Sequence, residues 1–209
     1  NTASVKAREA DISNKDVTIH QLLARNYSAT GNETKALEHL TAANELVRLG
    51  VLSDDEAIVK GCANVCSLTG LRGRWETLSE SPLTICDTGH NLAGWEYLAP
   101  HISKVFEQKK GENAEAQLRI VFGMVDDKDI NSVLQLMPKE ARYYFCQAST
   151  HRAIPVEKVV ALASEHGLVG ESFPSVAEAY VKAKADAKAE DFIFIGGSSY
   201  VVADLLCDF

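Results

Sequence analysis

Leu83-Thr84-Ile85-Cys86-Asp87-Thr88-Gly89-His90-Asn91 is the stretch on which the fold turns. Leu83 to Cys86 form a short, uncharged and mostly apolar run, the texture of a strand buried on both faces. The run passes directly into a turn built from Asp, Thr and Asn, the residue types that cap helices. Beyond it, Leu92, Trp95, Ala99, Ile102 and Phe106 fall at offsets 0, 3, 7, 10 and 14, the spacing of one helical face. Strand, polar turn and helix therefore follow one another without a break. Pro100 sits inside this helical stretch and predicts a kink or split, at a cost of about 3 kcal/mol if it is interior.

The same alternation recurs downstream. Leu118-Arg119-Ile120-Val121-Phe122, Tyr143-Tyr144-Phe145-Cys146 and Phe192-Ile193-Phe194-Ile195 are further strand-like runs. Between them, Val156, Val159, Val160 and Ala163 follow Pro155 in a first turn and stop before Gly167. Val176, Ala179, Tyr180 and Ala183 follow the capping box Ser175-Val176-Ala177-Glu178. Apolar strands separated by helices imply parallel strands joined by crossovers. Residues 73–209 are thus expected to form a Rossmann-like α/β domain, a mostly parallel sheet flanked by helices. Upstream the texture differs. Leu37, Leu40, Ala43 and Val47 predict a helix that ends at Gly50, and Ser53-Asp54-Asp55-Glu56 opens a second that runs to about Leu68. Gly70 and Gly73 bracket a hinge, so residues 1–72 read as a separate, mainly helical segment.

Composition narrows the function. The 209 residues are 46% hydrophobic and 24% charged, ordinary globular usage. Lys and Arg number 21 against 29 Asp and Glu, a net charge of −8. That balance repels phosphate backbones and anionic lipid, which argues against nucleic-acid and membrane partners. The longest hydrophobic-looking stretch without a charge, Phe192 to Ala203, is interrupted by two glycines and two serines. It is also shorter than the roughly 18–20 residues that cross a bilayer. Five scattered cysteines, an odd number, fit reduced thiols in the cytoplasm better than a disulfide framework. The chain begins at Asn1 rather than Met, and is expected to be an excised piece of a longer protein.

In a parallel sheet, ligands bind at the carboxyl ends of the strands. Four such ends carry polar residues. Asp87-Thr88-Gly89-His90-Asn91 offers a carboxylate for ribose hydroxyls, a helix N-terminus for an anion and an imidazole that can donate to a phosphate or carboxylate; the same residues also suit a plain helix cap. Gly123 to Asp129 holds three acids around Lys128, without the spacing of a calcium loop; it is either a solvated capping loop or a point charge for a carboxylate. Gln147 to Pro155 places Arg152 just before a helix. Gly196-Gly197-Ser198-Ser199-Tyr200 lacks the last glycine of a nucleophile elbow, so Ser198 is not read as a nucleophile. Its glycines either let a ligand approach the backbone or make a tight turn with a serine cap. The chain contains no Gly-x-x-x-x-Gly-Lys-Ser/Thr, Gly-x-Gly-x-x-Gly, His-Glu-x-x-His or Cys-x-x-Cys. It cannot cradle a triphosphate alone.

Taken in order, Gly73-Arg74-Trp75-Glu76-Thr77-Leu78, the Leu83–Asn91 stretch, Val121 to Asp129, Arg152-Ala153-Ile154-Pro155 and Gly196 to Tyr200 resemble the C-terminal part of the folylpolyglutamate synthase/dihydrofolate synthase family of Mur ligases. The resemblance covers roughly residues 53–209. It implies an ATP-dependent ligase in which a substrate carboxylate is phosphorylated and the acyl phosphate is attacked by the amine of L-glutamate. Folate or dihydropteroate is the implied acceptor. ATP and Mg2+ would be bound mainly by upstream domains, and the intact enzyme would act as a monomer. Residues 1–72 would be the tail of the central domain. Residues 73–209 would be a lid that positions groups, excludes water and has no activity alone. The resemblance assigns Arg74 to the ATP phosphates, Asp87 to the ribose and His90 to the reacting groups. It places Lys128, Ser198 and Tyr200 near the incoming amino acid. A Mur-type ligase for another acid and amine is one alternative. A non-catalytic flavodoxin-like module is another, and it would have no need to gather Arg74, Asp87 and His90 in one cleft.

Overall fold

A computed structural model describes residues 69–126 and 129–208. The two helices expected before Gly70 lie outside the described residues, as does Lys128. The elements run β1 (Glu76–Glu80), β2 (Leu83–Asp87), α1 (Leu92–Glu112), β3 (Leu118–Phe122), α2 (Ile130–Leu136), β4 (Arg142–Cys146), α3 (Val156–Glu165), β5 (Val169–Phe173), α4 (Val176–Asp186), β6 (Phe192–Gly196) and α5 (Ser199–Asp208). Together they form one sheet of six strands in the order β1-β2-β6-β3-β4-β5. β1 pairs antiparallel with β2, and every other pairing is parallel. The mostly parallel α/β architecture expected from the alternating runs is present.

Strand alternation sorts the core into two layers. On one face Ile85, Ile120, Phe122, Tyr143, Phe145, Phe192 and Phe194 pack with Trp95 and Ile102 of α1, Val133 and Leu134 of α2, and Val156 and Val159 of α3. On the other, Cys86, Val121, Tyr144, Cys146, Ile193 and Ile195 meet Ala179, Tyr180 and Ala183 of α4 and Val201, Val202 and Leu205 of α5. Each of the inner strands is therefore covered on both sides, which is why it reads as a mostly apolar run.

Several features depart from the sequence reading. α1 runs unbroken through Pro100. Pro100 lies on the exposed side, where the carbonyl deprived of its partner faces water rather than core, so no break is needed. Leu92, counted as a core position, is exposed, and Leu98 is buried in its stead. Pro155 is the N-cap of α3 rather than a first-turn residue. β1 and β5 add two edge strands without apolar runs. Their outer sides meet solvent, with Val169 of β5 76% exposed. α2 is only seven residues long, started by the Asp129 carboxylate, which accepts the Ser132 N–H at 3.2 Å.

At the amino-end rim of the sheet a buried ion pair ties three segments together. Arg119 Nε lies 3.0 Å from Asp191 Oδ2, and Arg119 Nη1 donates to Tyr144 Oη at 2.9 Å. Arg119 Nη2 donates to Gln117 Oε1 at 3.1 Å. Asp191 also accepts the backbone N–H groups of Gln117 at 2.9 Å and Lys188 at 3.0 Å. Tyr144 Oη passes the chain on to Asp186 Oδ2 at 3.0 Å.

The described cysteines Cys86, Cys146 and Cys207 are free, the first two buried and the third exposed. Burial pushes the Cys86 thiol up to about 12, and burial raises Cys146 as well. Thiolate, the reactive form, is therefore suppressed at both buried positions. Iodoacetamide at neutral pH should modify Cys207 in the native protein, and Cys86 and Cys146 only after denaturation, as read by peptide mass spectrometry. Native labelling of Cys86 would contradict its packed position.

Candidate active site

The carboxyl end of β6 is the crevice the topology prepares. The helices that follow its neighbours β2 and β3 belong to one face, and the helix that follows β6 belongs to the other. Chains thus diverge around the end of β6, the arrangement that opens ligand sites in parallel sheets. Asp87 pairs in register with Gly196, and Phe122 pairs with Gly196 from the other side. The turn after β2 and the start of α5 are therefore neighbours.

Asp87 is 7% exposed. Its Oδ2 accepts the Trp75 N–H at 2.8 Å, and its Oδ1 accepts the Gly89 N–H at 2.7 Å. The carboxylate thereby clamps the Gly73–Trp75 turn to the loop after β2, and Thr88 N–H adds a bond to Gly73 O at 2.9 Å. Burial raises the Asp87 carboxyl above its ordinary value, against the pull of the two N–H donors and of nearby Arg74 and His90. Each carboxylate oxygen keeps a second lone pair, so a ribose hydroxyl can still be accepted.

His90 is half-buried, with Nδ1 3.0 Å from Thr88 O. A carbonyl can only accept, so Nδ1 carries a proton, which in the neutral form of the ring leaves the lone pair on Nε2. Arg74 is exposed on the turn that Asp87 clamps. Asn91 is the α1 cap, accepting Gly94 N–H at 2.9 Å. The structure thus brings Arg74, Asp87 and His90 into one pair of loops.

The second group starts α5. Ser198 is buried and its hydroxyl accepts the Tyr200 N–H at 3.1 Å, a capping contact. Tyr200 is 37% exposed. Its hydroxyl accepts from Arg152 Nη1 at 3.2 Å, and the guanidinium lies 5.7 Å from the ring centroid. Arg152 is carried by a loop stitched to the one after β3 through Asp126 N–H to Arg152 O and Ile154 N–H to Met124 O, both 2.9 Å. The glycines between the two groups serve the protein's own backbone. Gly197 has φ 102, and a Cβ there would stand 2.5 Å from Gly123 O and 2.6 Å from the Phe122 ring. Close approach of β6 to β3, rather than space for a ligand, requires it. Sequence reasoning passed over Glu76 and Trp75 as site residues, because neither lies on a periodic face. A cavity of about 210 Å³ between α3 and β5, lined by Phe145, Val160, Ser164 and Leu168 among others, contains none of these groups.

Comparison with known proteins places the fold in a family. The Mur ligase, glutamate ligase domain family matches residues 73–199. The chain is 34% identical over 167 residues to the dihydrofolate synthase/folylpolyglutamate synthase of Escherichia coli (strain K12), covering 79% of this chain and 36% of that protein. Among solved structures, E. coli FolC in complex with DHPP and ADP superposes with a TM-score of 0.64 at 30% identity, over 85% of this chain and 38% of that one. The bifunctional folylpolyglutamate synthase/dihydrofolate synthase of Yersinia pestis, complexed with AMPPNP and Mn ion, gives 0.61 at 26% identity, over 85% and 38%. The chain spans little more than a third of the length of these relatives.

Proposed function

Because the chain belongs to the Mur ligase family and carries its glutamate ligase domain, we propose that it is the C-terminal part of an ATP-dependent ligase that adds L-glutamate to a folate or to dihydropteroate. The observation that carries this reading is the gathering of Arg74, Asp87 and His90 on two clamped loops beside the central strand. A flavodoxin-like binding module has no use for that trio, and the family match gives it no support.

On this reading residues 1–72 are the tail of the central domain and residues 73–209 the lid. Arg74 offers its planar, always-charged fork to the ATP phosphates. Asp87 receives a ribose hydroxyl on a free lone pair. The Nε2 of neutral His90 takes the proton that the glutamate ammonium must lose before its nitrogen attacks the acyl phosphate, and the amide forms as phosphate leaves. Lys128 and Tyr200 hold the incoming glutamate, the lysine as a point charge for a carboxylate, while the buried Ser198 hydroxyl keeps the start of α5 in place beneath Tyr200. Mg2+ supplies charge neutralisation on the phosphates. Among the described residues no cluster of three or more His, Cys, Asp or Glu could hold a metal, so this reading leaves the ion to phosphate oxygens and residues elsewhere. Free thiols support a reducing compartment, and among the described residues no helix is long and apolar enough to cross a membrane.

The test is a chimera in which residues 73–209 replace the matching C-terminal segment of the E. coli relative. Glutamate-dependent ADP release with a dihydropteroate or tetrahydrofolate acceptor is expected. Arg74→Ala should reduce it by about tenfold to a hundredfold, as for removal of a charged contact to a phosphate. A folded chimera with no glutamate-dependent turnover would sink the reading.

A further inference from the structure

We propose that Glu76 is a positioning residue that holds the backbone on which Arg74 is mounted, an inference that rests on the phosphate reading of that arginine. Arg74 stands between two left-handed residues, Gly73 at φ 70 and Trp75 at φ 46. Glycine adopts that conformation freely, but tryptophan does so only where its surroundings impose it. The surroundings are specific. On the downstream side the Trp75 N–H is held by Asp87 Oδ2 at 2.8 Å. The Trp75 ring packs with its centroid 4.1 Å from that of His101 and 5.9 Å from that of Phe194.

Glu76 grips the upstream side. Its backbone belongs to the edge strand β1, in register with Cys86, while its side chain turns back along the chain. Oε2 accepts the Gly73 N–H at 2.7 Å, and Oε1 accepts from Arg72 Nε at 2.5 Å. The Arg72 pair is largely exposed on the arginine side and adds little. The bond to Gly73 is the working contact, because it fixes the residue before Arg74 just as Asp87 fixes the residue after it. Gly73 is also wedged: a Cβ there would meet Val202 Cγ1 at 2.6 Å and Thr88 Cγ2 at 2.9 Å. The backbone is thus pinned on both sides of Arg74 while its side chain reaches solvent. Part of the ordering cost of an arginine–anion contact is met before the anion arrives.

The experiment uses the full 209-residue chain and inorganic tripolyphosphate as probe. The 1H–15N heteronuclear NOE of the Gly73 and Arg74 amides reports order without ligand. The shift of the Arg74 Nε–Hε resonance during titration reports affinity. Glu76→Ala is expected to lower the NOE at Gly73 and Arg74, leave the amides of α1 and β6 unchanged, and weaken tripolyphosphate about tenfold, the loss of one charge-assisted hydrogen bond. Glu76→Gln keeps an acceptor for the Gly73 N–H and should stay within about twofold of the parent. Should Glu76→Ala lose its cooperative melt, Glu76→Met fills the same space without an acceptor and carries the same expectation. An unchanged NOE or unchanged affinity in the acceptor-free variant, or equal loss in Glu76→Gln, overturns the proposal alone. A parent protein whose Arg74 does not respond to tripolyphosphate overturns the phosphate reading, and this proposal with it.

Discussion

Replacing Asp191 with alanine is expected to lower the unfolding free energy by about 3–5 kcal/mol, the range for breaking a buried ion pair from one side. The change removes three partners at once. Arg119 loses its carboxylate at 3.0 Å, and the Gln117 and Lys188 N–H groups lose their acceptor. Arg119 is almost fully enclosed and cannot turn to water for compensation. The two tryptophans of the chain, Trp75 and Trp95, both lie in the α/β unit, so denaturant titration followed by tryptophan fluorescence reads this unit directly. The double variant Arg119→Met with Asp191→Leu should recover part of the loss, since it leaves no unpaired charge. It should not recover all of it, because both N–H groups remain orphaned. A loss under about 1 kcal/mol for Asp191→Ala, the level of a surface pair, would mean the pair is solvated in solution.

The second large effect is expected at Asp87. Asp87→Ala strips the acceptor from two backbone N–H groups at 2.8 and 2.7 Å and should cost about 2–4 kcal/mol. In a complete ligase the same variant should also raise the ATP requirement, so the two effects need separating. Asp87→Asn does this through pH. Burial holds the Asp87 carboxyl above its ordinary value of 3.8, so the fold favours the neutral acid. Its contribution to stability is complete below the unfolded value and is lost as pH rises through the raised folded value. Wild type should therefore be at its best relative to Asp87→Asn below pH 3.8 and lose ground towards neutrality, by fluorescence-monitored unfolding at a series of pH values. A difference that stays flat, or one that grows in favour of wild type as pH rises, would contradict the burial of this carboxylate.

What the sequence disclosed and what it hid have one physical origin. β2, β3, β4 and β6 are covered on both faces, so most of their residues had to be apolar and the strands could be read directly. β1 and β5 are edge strands with no fully buried residue, and runs such as Val169-Gly170-Glu171-Ser172-Phe173 carry no signal that distinguishes them from loop. Pro100 predicts a break by its residue type, although the apolar spacing of α1 already places it on the side that meets water. At the site, the residue types at the strand ends announced polar chemistry, and Asp87, His90 and Arg74 could be singled out from the turn after β2 and the Gly-Arg pair. The left-handed Trp75 could not, since its N–H is held by Asp87 of a segment that the register of β1 on β2 brings alongside, and Glu76 could not, since its bond back to Gly73 depends on that left-handed turn. Ser198 was legible in both its guises, and the capping contact is the one the structure contains.

The order of strands also sets a timetable for synthesis. Among the described strands β6 is the last to be made and yet it fills the slot between β2 and β3, so a nascent chain halted before residue 192 has two apolar strands flanking a gap rather than a finished layer. Each would leave the ribosome with a bare hydrogen-bonding edge, the kind of surface that recruits the wrong neighbour. Truncation ahead of residue 192 therefore strikes at the middle of the sheet and not at its margin.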